Sequence, residues 1–171
     1  MNQPVSLWKS ALTYGLYLGL ALVIILVIYY ATGNTFAKSA NWVTYAVMIA
    51  GIIIVQLNYR KASGDVMSYG QALGIGVLTL VFASLITGFF TFLLHTVIDP
   101  SLQDQLRLTI EEQLVKQGIP EDQMNMAIEM ASKFQKPAIM FFMNIFNGAI
   151  TGLVISLIAS LFTQKKPIEE F

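Results

Sequence analysis

The stretch Tyr69–Ile98 reads YGQALGIGVLTLVFASLITGFFTFLLHTVI and contains no lysine, arginine, aspartate or glutamate. A helix of about 20 apolar residues is long enough to cross the hydrocarbon core of a lipid bilayer, so this stretch predicts a membrane-spanning helix. Three further stretches share its apolar character, and they are Ala11–Ala31, Trp42–Leu57 and Ala138–Phe162. Because irregular backbone cannot face lipid, these stretches predict an all-α integral membrane protein with four transmembrane helices.

The composition agrees with this class of protein and excludes others. The chain has 171 residues, of which 56% are hydrophobic and 12% are charged, and its formal net charge is zero. Four spans leave too little chain for a separate soluble catalytic domain, so we predict a single membrane domain over 1–171. The neutral charge gives no support for nucleic-acid binding. The absence of cysteine excludes disulfides, thiolate metal sites and cysteine nucleophiles.

The ends of the spans are indicated by aromatic residues, which favour the membrane–water interface. Trp8, Tyr30 and Trp42 lie beside the ends of the first two apolar stretches. We predict spans at about 9–31, 42–59, 68–98 and 137–163. The first apolar stretch is longer than the core of a signal peptide, so we expect it to remain as an uncleaved helix.

The segment 99–136, between the third and fourth spans, is predicted to form an amphipathic helical hairpin. Asp99 precedes Pro100, a pair that is typical of a helix start. Apolar residues then recur every four positions as far as Leu114, and Gly118 is suited to ending the first helix. Acidic residues outnumber basic ones, which is unusual for a helix that adheres to anionic lipid. The hairpin is therefore expected either to cap its own bundle or to contact a partner protein.

The orientation is predicted from basic residues at the span ends. Four spans place both termini on one side of the membrane, together with the loop between spans two and three. Basic residues near the span ends on that side are Lys9, Arg60, Lys61, Lys165 and Lys166. Because cytoplasmic loops are enriched in lysine and arginine, we expect cytoplasmic termini and a hairpin on the outer side. Lys133 and Lys136 lie close to span four on the outer side and count against this orientation.

Small and polar residues recur at helical spacing within the spans and predict close helix packing. Such residues let helix backbones approach each other, since van der Waals contact replaces the hydrophobic effect within lipid. The candidate packing residues are Gly15, Gly19, Gly70, Gly74, Asn144, Gly148, Gly152 and Ser156. We expect them to pack the protein's own bundle, with a dimer seam on span four as the less favoured alternative.

Polar groups within the spans are candidates for a transport path. Asn144 and Asn147 lie in span four, and Gln71 lies near the start of span three. A proton-coupled pump would also be expected to carry acids or bases inside its spans. Away from their ends these spans contain no Asp, Glu, Lys or Arg, which argues against such a pump.

Two further features are candidates for chemistry: a His–Asp pair and a group of methionines. His95 is the only histidine, and Asp99 would share its helical face if the helix continued. Two ligands are too few for a transition-metal site, so a single polar contact is the favoured reading. Methionines such as Met124, Met126 and Met130 could bind Cu(I), but methionine more often fills gaps or lines adaptable surfaces. We predict no catalytic residue, no cofactor and no metal site.

The stretch Arg60–Leu102 supports a resemblance to a known family. It carries Tyr69-Gly-Gln-Ala72, a long span rich in glycine and phenylalanine, and Asp99-Pro100 before the acidic hairpin. With the order of the four spans, this resembles the bacterial family of unknown function numbered 4199. The resemblance implies a bacterial inner-membrane protein with four helices, and it implies no activity and no catalytic residue.

Three classes of function follow as hypotheses. The first is a non-enzymatic accessory or scaffold protein that acts through helix–helix and hairpin contacts, with a membrane-protein partner or with itself as a homo-oligomer. The alternative is a small transporter or channel subunit, formed by self-association around Gln71, Asn144 and Asn147. The third, an intramembrane enzyme that uses His95 and Asp99, is the least favoured.

Overall fold

The computed structural model describes residues 6–165, apart from the side chains of Lys38, Glu121 and Asp122. Lys166, which was used to predict the orientation, lies outside this range. The described chain is helical, with an isolated backbone bridge between Met67 and Lys165. Its helices are α1 (Leu7–Ala31), α2 (Lys38–Ala62), α3 (Tyr69–Leu93), α4 (Leu102–Lys116), α5 (Glu121–Phe134) and α6 (Pro137–Thr163). A π-helical turn, Leu94–Ile98, extends α3.

Within residues 6–165, four helices are long and apolar enough to cross a membrane, as expected of a multi-pass membrane protein. They cover Leu7–Ala31, Ser39–Ala62, Tyr69–Ile98 and Pro137–Thr163. Their order agrees with the four predicted spans, and the largest differences lie at the ends of the second helix. That helix is longer than its apolar stretch, because it includes polar residues at both ends.

The chain forms two compact units. Within the described residues, the first unit comprises 6–87 and 145–165, and we call it the bundle unit. It contains α1, α2, most of α3 and most of α6. The second unit comprises Gly88–Asn144 and contains α4 and α5 with the adjoining ends of α3 and α6.

The core of the bundle unit forms where α1, α2 and α3 meet. One buried cluster joins Ala11 of α1 to Val55 and Tyr59 of α2 and to Ala72 and Ile75 of α3. A second cluster lies further along the same helices and is joined by Ala159 of α6. Many large apolar side chains of these helices remain exposed, which is the pattern of a bundle whose solvent is lipid.

Two predicted packing glycines bring α1 against α3. A Cβ on Gly15 would lie 2.5 Å from Phe82 Cβ and 2.9 Å from the Thr79 carbonyl oxygen. A Cβ on Gly19 would lie 3.1 Å from the Ala83 carbonyl oxygen. Since backbone atoms cannot move aside as flexible side chains do, the helices reach this separation only with glycine at these positions.

Two glycines of α6 approach α3 in the same way. A Cβ on Gly152 would lie 3.1 Å from Leu80 Cβ and 3.3 Å from Val77 Cα. A Cβ on Gly148 would collide with the hydroxyl of Ser84. Both glycines are buried, so the inner face of α6 packs closely on α3.

The two predicted packing glycines on α3, Gly70 and Gly74, differ from those on α1 and α6. Gly70 is exposed, and within the described residues nothing lies within 4 Å of a Cβ placed there. A Cβ on Gly74 would make only an ordinary contact of 3.9 Å with Leu7. The prediction that Gly70 and Gly74 allow close helix approach is therefore corrected, because no segment within residues 6–165 comes close to α3 at these two positions.

The second unit contains two short helices joined at Gly118. The Gly118 amide donates to the Val115 carbonyl at 3.0 Å, and the Ile119 amide donates to the Leu114 carbonyl at 3.3 Å. Gly118 has a φ of +71°, so the two bonds form a Schellman ending for α4. Gly118 thus has the role that the sequence predicted for it.

The helix starts in this unit use proline. Pro120 immediately precedes α5, and Pro137 is the first residue of α6. Proline suits the first turn because the amide it lacks has no partner within the helix there.

Candidate functional site: a buried polar cluster

Gln56 is the centre of a polar cluster inside the bundle unit. It lies on α2, and no part of it is exposed. Its Nε2 donates to the Ala72 carbonyl of α3 at 2.9 Å and to Ser160 Oγ of α6 at 3.2 Å. Its Oε1 accepts from Thr163 Oγ1 of α6 at 2.9 Å. One side chain on α2 therefore connects that helix to both α3 and α6.

The position of Gln56 follows from the helical repeat of α2. The buried residues Ile52, Val55, Gln56 and Tyr59 recur at the spacing that places them on one face of a helix. Gln56 is the only strongly polar member of this face. In a lipid-embedded bundle its two donors and its acceptor need partners inside the protein, and α3 and α6 provide them.

Ser156 adjoins the cluster where α6 packs most closely on α3. A Cβ on Gly76 would overlap the hydroxyl of Ser156, and it would lie 3.2 Å from Gln56 Nε2. Ser156 Oγ is buried and has no hydrogen-bond partner among residues 6–165. This residue was predicted as a packing position, and it lies against the backbone of α3.

Charged groups continue the cluster at the end of the bundle unit. Arg60 Nη1 donates to the Thr163 carbonyl at 3.0 Å, and Arg60 Nε lies 3.2 Å from Asp65 Oδ1. Lys165 Nζ donates to the other oxygen of Asp65. Met67 and Lys165 exchange two backbone hydrogen bonds of 2.9 Å. The loop after α2 is thus tied to the chain that follows α6.

Asp65 is the acidic centre of these contacts. It occupies a left-handed backbone conformation, with a φ of 61°, directly after Gly64 at +77°. The hydrogen bond from Lys165, with the nearby charges of Lys165 and Arg60, holds the pKa of Asp65 below its usual value of 3.8. Asp65 is about half exposed, so the contribution of these ion pairs to stability is small.

The polar cluster holds the helices of the bundle unit together. Both polar atoms of the Gln56 amide are bound by the bundle itself, so neither is presented to a solute. Among the described residues, no group of three His, Cys, Asp or Glu side chains could hold a metal ion. The cluster therefore orders α2, α3 and α6 relative to one another.

Sequence reasoning missed Gln56. The signal was present, since Gln56 is the one carboxamide in the run Ile52-Ile-Ile-Val-Gln-Leu57. Its partners could not be foreseen, because the nearest, Ala72, is 16 residues away along the chain and Ser160 is 104 residues away.

Gln71, a candidate for a transport path, lies elsewhere and has another role. Its side-chain Oε1 accepts from the backbone amide of Ser68 at 2.9 Å, and the backbone amide of Gln71 donates to Ser68 Oγ at 3.2 Å. These reciprocal bonds form a capping box at the start of α3. Gln71 is exposed at the end of the helix, and its side-chain oxygen is used in this cap.

The two candidate asparagines of α6 differ in exposure. Asn144 is half-buried in the second unit, where its Cβ would lie 3.4 Å from a Cβ placed on Gly88. Asn147, in the bundle unit, is exposed, and its Oδ1 accepts from Thr151 Oγ1 at 3.4 Å. Asn144 therefore lies at a close helix contact, as a packing role requires, whereas Asn147 points away from the bundle.

His95 and Asp99 lie at the transition from α3 to α4. His95 is buried in the π-helical turn, and its Nδ1 has no hydrogen-bond partner within the described residues. The helix does not continue to Asp99, whose φ is −146°. Asp99 Oδ1 accepts from the Ser101 amide at 3.1 Å and from Ser101 Oγ at 2.6 Å. The prediction that Asp99 shares a helical face with His95 is therefore corrected, because the helix ends first and the Asp99 carboxylate is used in the turn that begins α4.

The methionines of α5 do not share one face. Met124 is half-buried, whereas Met126 and Met130 are 67% and 56% exposed. Only Met126 and Met130 lie one helical turn apart on the same side. This arrangement gives no convergent set of thioethers on α5 for Cu(I).

Comparison with known families assigns the chain. A family model described as "Protein of unknown function (DUF4199)" matches residues 13–165. The match covers most of the chain and includes both units. The chain therefore belongs to this family, whose function is not established. Searches against curated proteins and against solved structures returned no match.

Proposed function

We propose that this chain is a non-enzymatic accessory or scaffold protein of the bacterial inner membrane. In this proposal both termini are cytoplasmic, and the helical pair α4–α5 lies on the outer side of the membrane and contacts a protein partner. The observation that carries the proposal is an exposed apolar stripe on α5, in a protein whose central buried amide, Gln56, is already bound by its own bundle.

The stripe on α5 consists of three large side chains at four-residue spacing. Met126, Met130 and Phe134 are 67%, 56% and 57% exposed. The opposite apolar side of the same helix, which includes Met124 and Ala131, is partly covered. Flexible methionine side chains adapt to varied partner surfaces, so this stripe is suited to protein contact.

Charged side chains on α4 and α5 support a position outside the bilayer. Arg107 pairs with Glu111 at 3.1 Å, and Lys116 pairs with Glu112 at 3.5 Å. On α5, Lys133 Nζ lies 3.1 Å from Glu129 Oε1. Exposed charges are costly in hydrocarbon, whereas pairs at this helical spacing are stable in water.

Partner capture tests the contact surface. The tagged protein is purified in a mild detergent, beside the variants Met130→Glu and Ser132→Glu, which place the same charge on and off the stripe. We expect a stable partner that the first variant loses and the second retains. Recovery of uncomplexed monomer under several mild conditions would contradict the proposal, and so would equal capture by both variants.

Thiol labelling tests the orientation, because the chain has no cysteine of its own. A membrane-impermeant maleimide, applied to intact cells with a permeable outer barrier, is expected to label Gln113→Cys in α4. It should leave Ala62→Cys, at the end of α2, unlabelled until the membrane is broken. The reverse labelling pattern would overturn the proposed orientation while leaving the contact surface to be judged by partner capture.

A further inference from the structure

Asn147 is a polar residue on the otherwise apolar outer surface of α6. The exposed side chains of α6 are otherwise apolar along its whole length, from Ala138 to Phe162. The inner face of the same helix is formed by Gly148, Gly152 and Ser156, which are buried. At 3.6 residues per turn, Asn147 lies nearly opposite that inner face. A carboxamide is therefore exposed within an apolar surface.

The hydrogen-bonding capacity of Asn147 is only partly used. Its Oδ1 accepts from Thr151 one turn further along α6. Among residues 6–165, no acceptor receives either hydrogen of its Nδ2. Within a bilayer an unsatisfied amide is costly, because lipid tails accept no hydrogen bonds.

Apolar residues continue the surface beyond Asn147 at a regular interval. Asn147, Thr151, Val154, Ile158 and Leu161 follow each other at alternating steps of four and three residues. This is the heptad spacing of a left-handed helix pair. Val154, Ile158 and Leu161 are 52%, 60% and 59% exposed, so in a single copy the seam has no partner along these residues.

We propose that a second copy of this chain binds along this α6 seam, with Asn147 at the crossing point. A carboxamide has both donors and an acceptor, so it is complementary to itself. In a twofold dimer the same residue of each copy can lie at the symmetry axis. The free Nδ2 of each Asn147 would then donate to the Oδ1 of the other, while Val154 and Ile158 interdigitate beside them.

The self-complementary amide is the reason for choosing a second copy as the partner. A polar residue at one core position of a helix pair selects its register and its oligomeric state. The seam uses no residue of α4 or α5, so this proposal and the proposed hairpin contact can fail separately.

Disulfide cross-linking tests the seam in native membranes. Single cysteines are introduced at Val154 and Ile158 on the seam and at Leu153 and Leu157 beside it, all four of which are exposed. We expect rapid dimer formation from the first pair and little from the second. Equal cross-linking at all four positions, or none at the seam positions, would overturn the proposal.

Energy transfer between labelled copies in liposomes tests the role of the amide. We expect Asn147→Leu to weaken association by about 3- to 30-fold, whereas Asn147→Gln should retain it. Asn41→Leu, which removes an exposed amide from α2, should associate as the wild type does. Association of Asn147→Leu at wild-type strength would overturn the proposal. A thermal melt of each variant checks that its monomer is folded.

Discussion

Two carboxamides within the membrane-spanning helices occupy opposite kinds of surface. Gln56 lies on the inner face of α2, fully buried, and its hydrogen bonds join α2 to α3 and α6. Asn147 lies on the outer face of α6, exposed, and is bonded only to its own helix at Thr151. The chemistry of the two groups is the same, but their neighbours differ.

This difference shows how location determines the use of a polar group in lipid. A buried amide with partners on several helices holds one arrangement of those helices. An exposed amide lacks such partners and favours association with another helix. The comparison therefore predicts that changes on the inner face alter the stability of the monomer, whereas changes on the outer face alter association.

The largest effect is expected where the inner face has no spare room. Gly15→Val adds atoms where even a Cβ would lie 2.5 Å from Phe82 and 2.9 Å from the Thr79 carbonyl. We expect it to lower the free energy of unfolding in detergent by about 3 kcal/mol, because helix backbones must separate. Gly70→Val is the matched control, and it should be far milder, since no neighbour lies near Gly70 within the described residues. Equal losses would show that helix propensity, and not packing, sets the cost.

The next largest effect concerns the Gln56 amide. Gln56→Leu keeps the approximate volume but removes the bonds to Ala72, Ser160 and Thr163. We expect a loss of about 1–2 kcal/mol of unfolding free energy, measured by denaturation in mixed micelles. Gln113→Leu, at an exposed position on α4, controls for removal of an amide. A stable Gln56→Leu variant would mean that apolar packing alone holds the three helices.

A smaller, pH-dependent effect is expected at Asp65, in the loop that follows α2. The folded protein lowers the pKa of Asp65, chiefly through the hydrogen bond from Lys165. A lowered pKa gives stability that is present above the usual value of 3.8 and is lost as pH falls through the folded value. Melts of the wild type and of Asp65→Asn should therefore differ slightly near neutral pH and converge in acid. A difference that grows on acidification would contradict this assignment.

The smallest effect on the monomer is expected from the outer face. Asn147→Leu should leave the unfolding free energy within about 0.5 kcal/mol of the wild type, because its only hydrogen-bond partner in the described structure is Thr151. The measurement is a denaturation curve at a high detergent-to-protein ratio, where copies are separated. Strong destabilisation of the separated monomer would place Asn147 with Gln56 as an internal bundle contact and would remove the contrast between them.

The polar residues show most clearly what sequence reasoning missed. Gln71 looked like an intramembrane polar group, but Ser68 lies three residues before it and the two cap α3. Ser68 followed three residues later by Gln71 is the local sequence pattern of a capping box. Asp99 was expected to extend the face of His95, but the π-helical turn ends the helix first, and no local pattern indicated that turn.

The sequence by itself determined the four apolar helices, their order and the glycine that ends α4. These features depend on residues that are close together along the chain, namely runs of apolar side chains and local capping groups. Only the tertiary structure decided that Gln56 is a shared partner of α3 and α6, and that Gly15 is tightly enclosed while Gly70 is open. The physical reason is that a spacing pattern defines a face of one helix, whereas the neighbour of that face is defined by packing between distant segments. The proposed role of Asn147 depends on both the sequence and the tertiary structure, since the sequence gives its amide and the fold leaves that amide exposed.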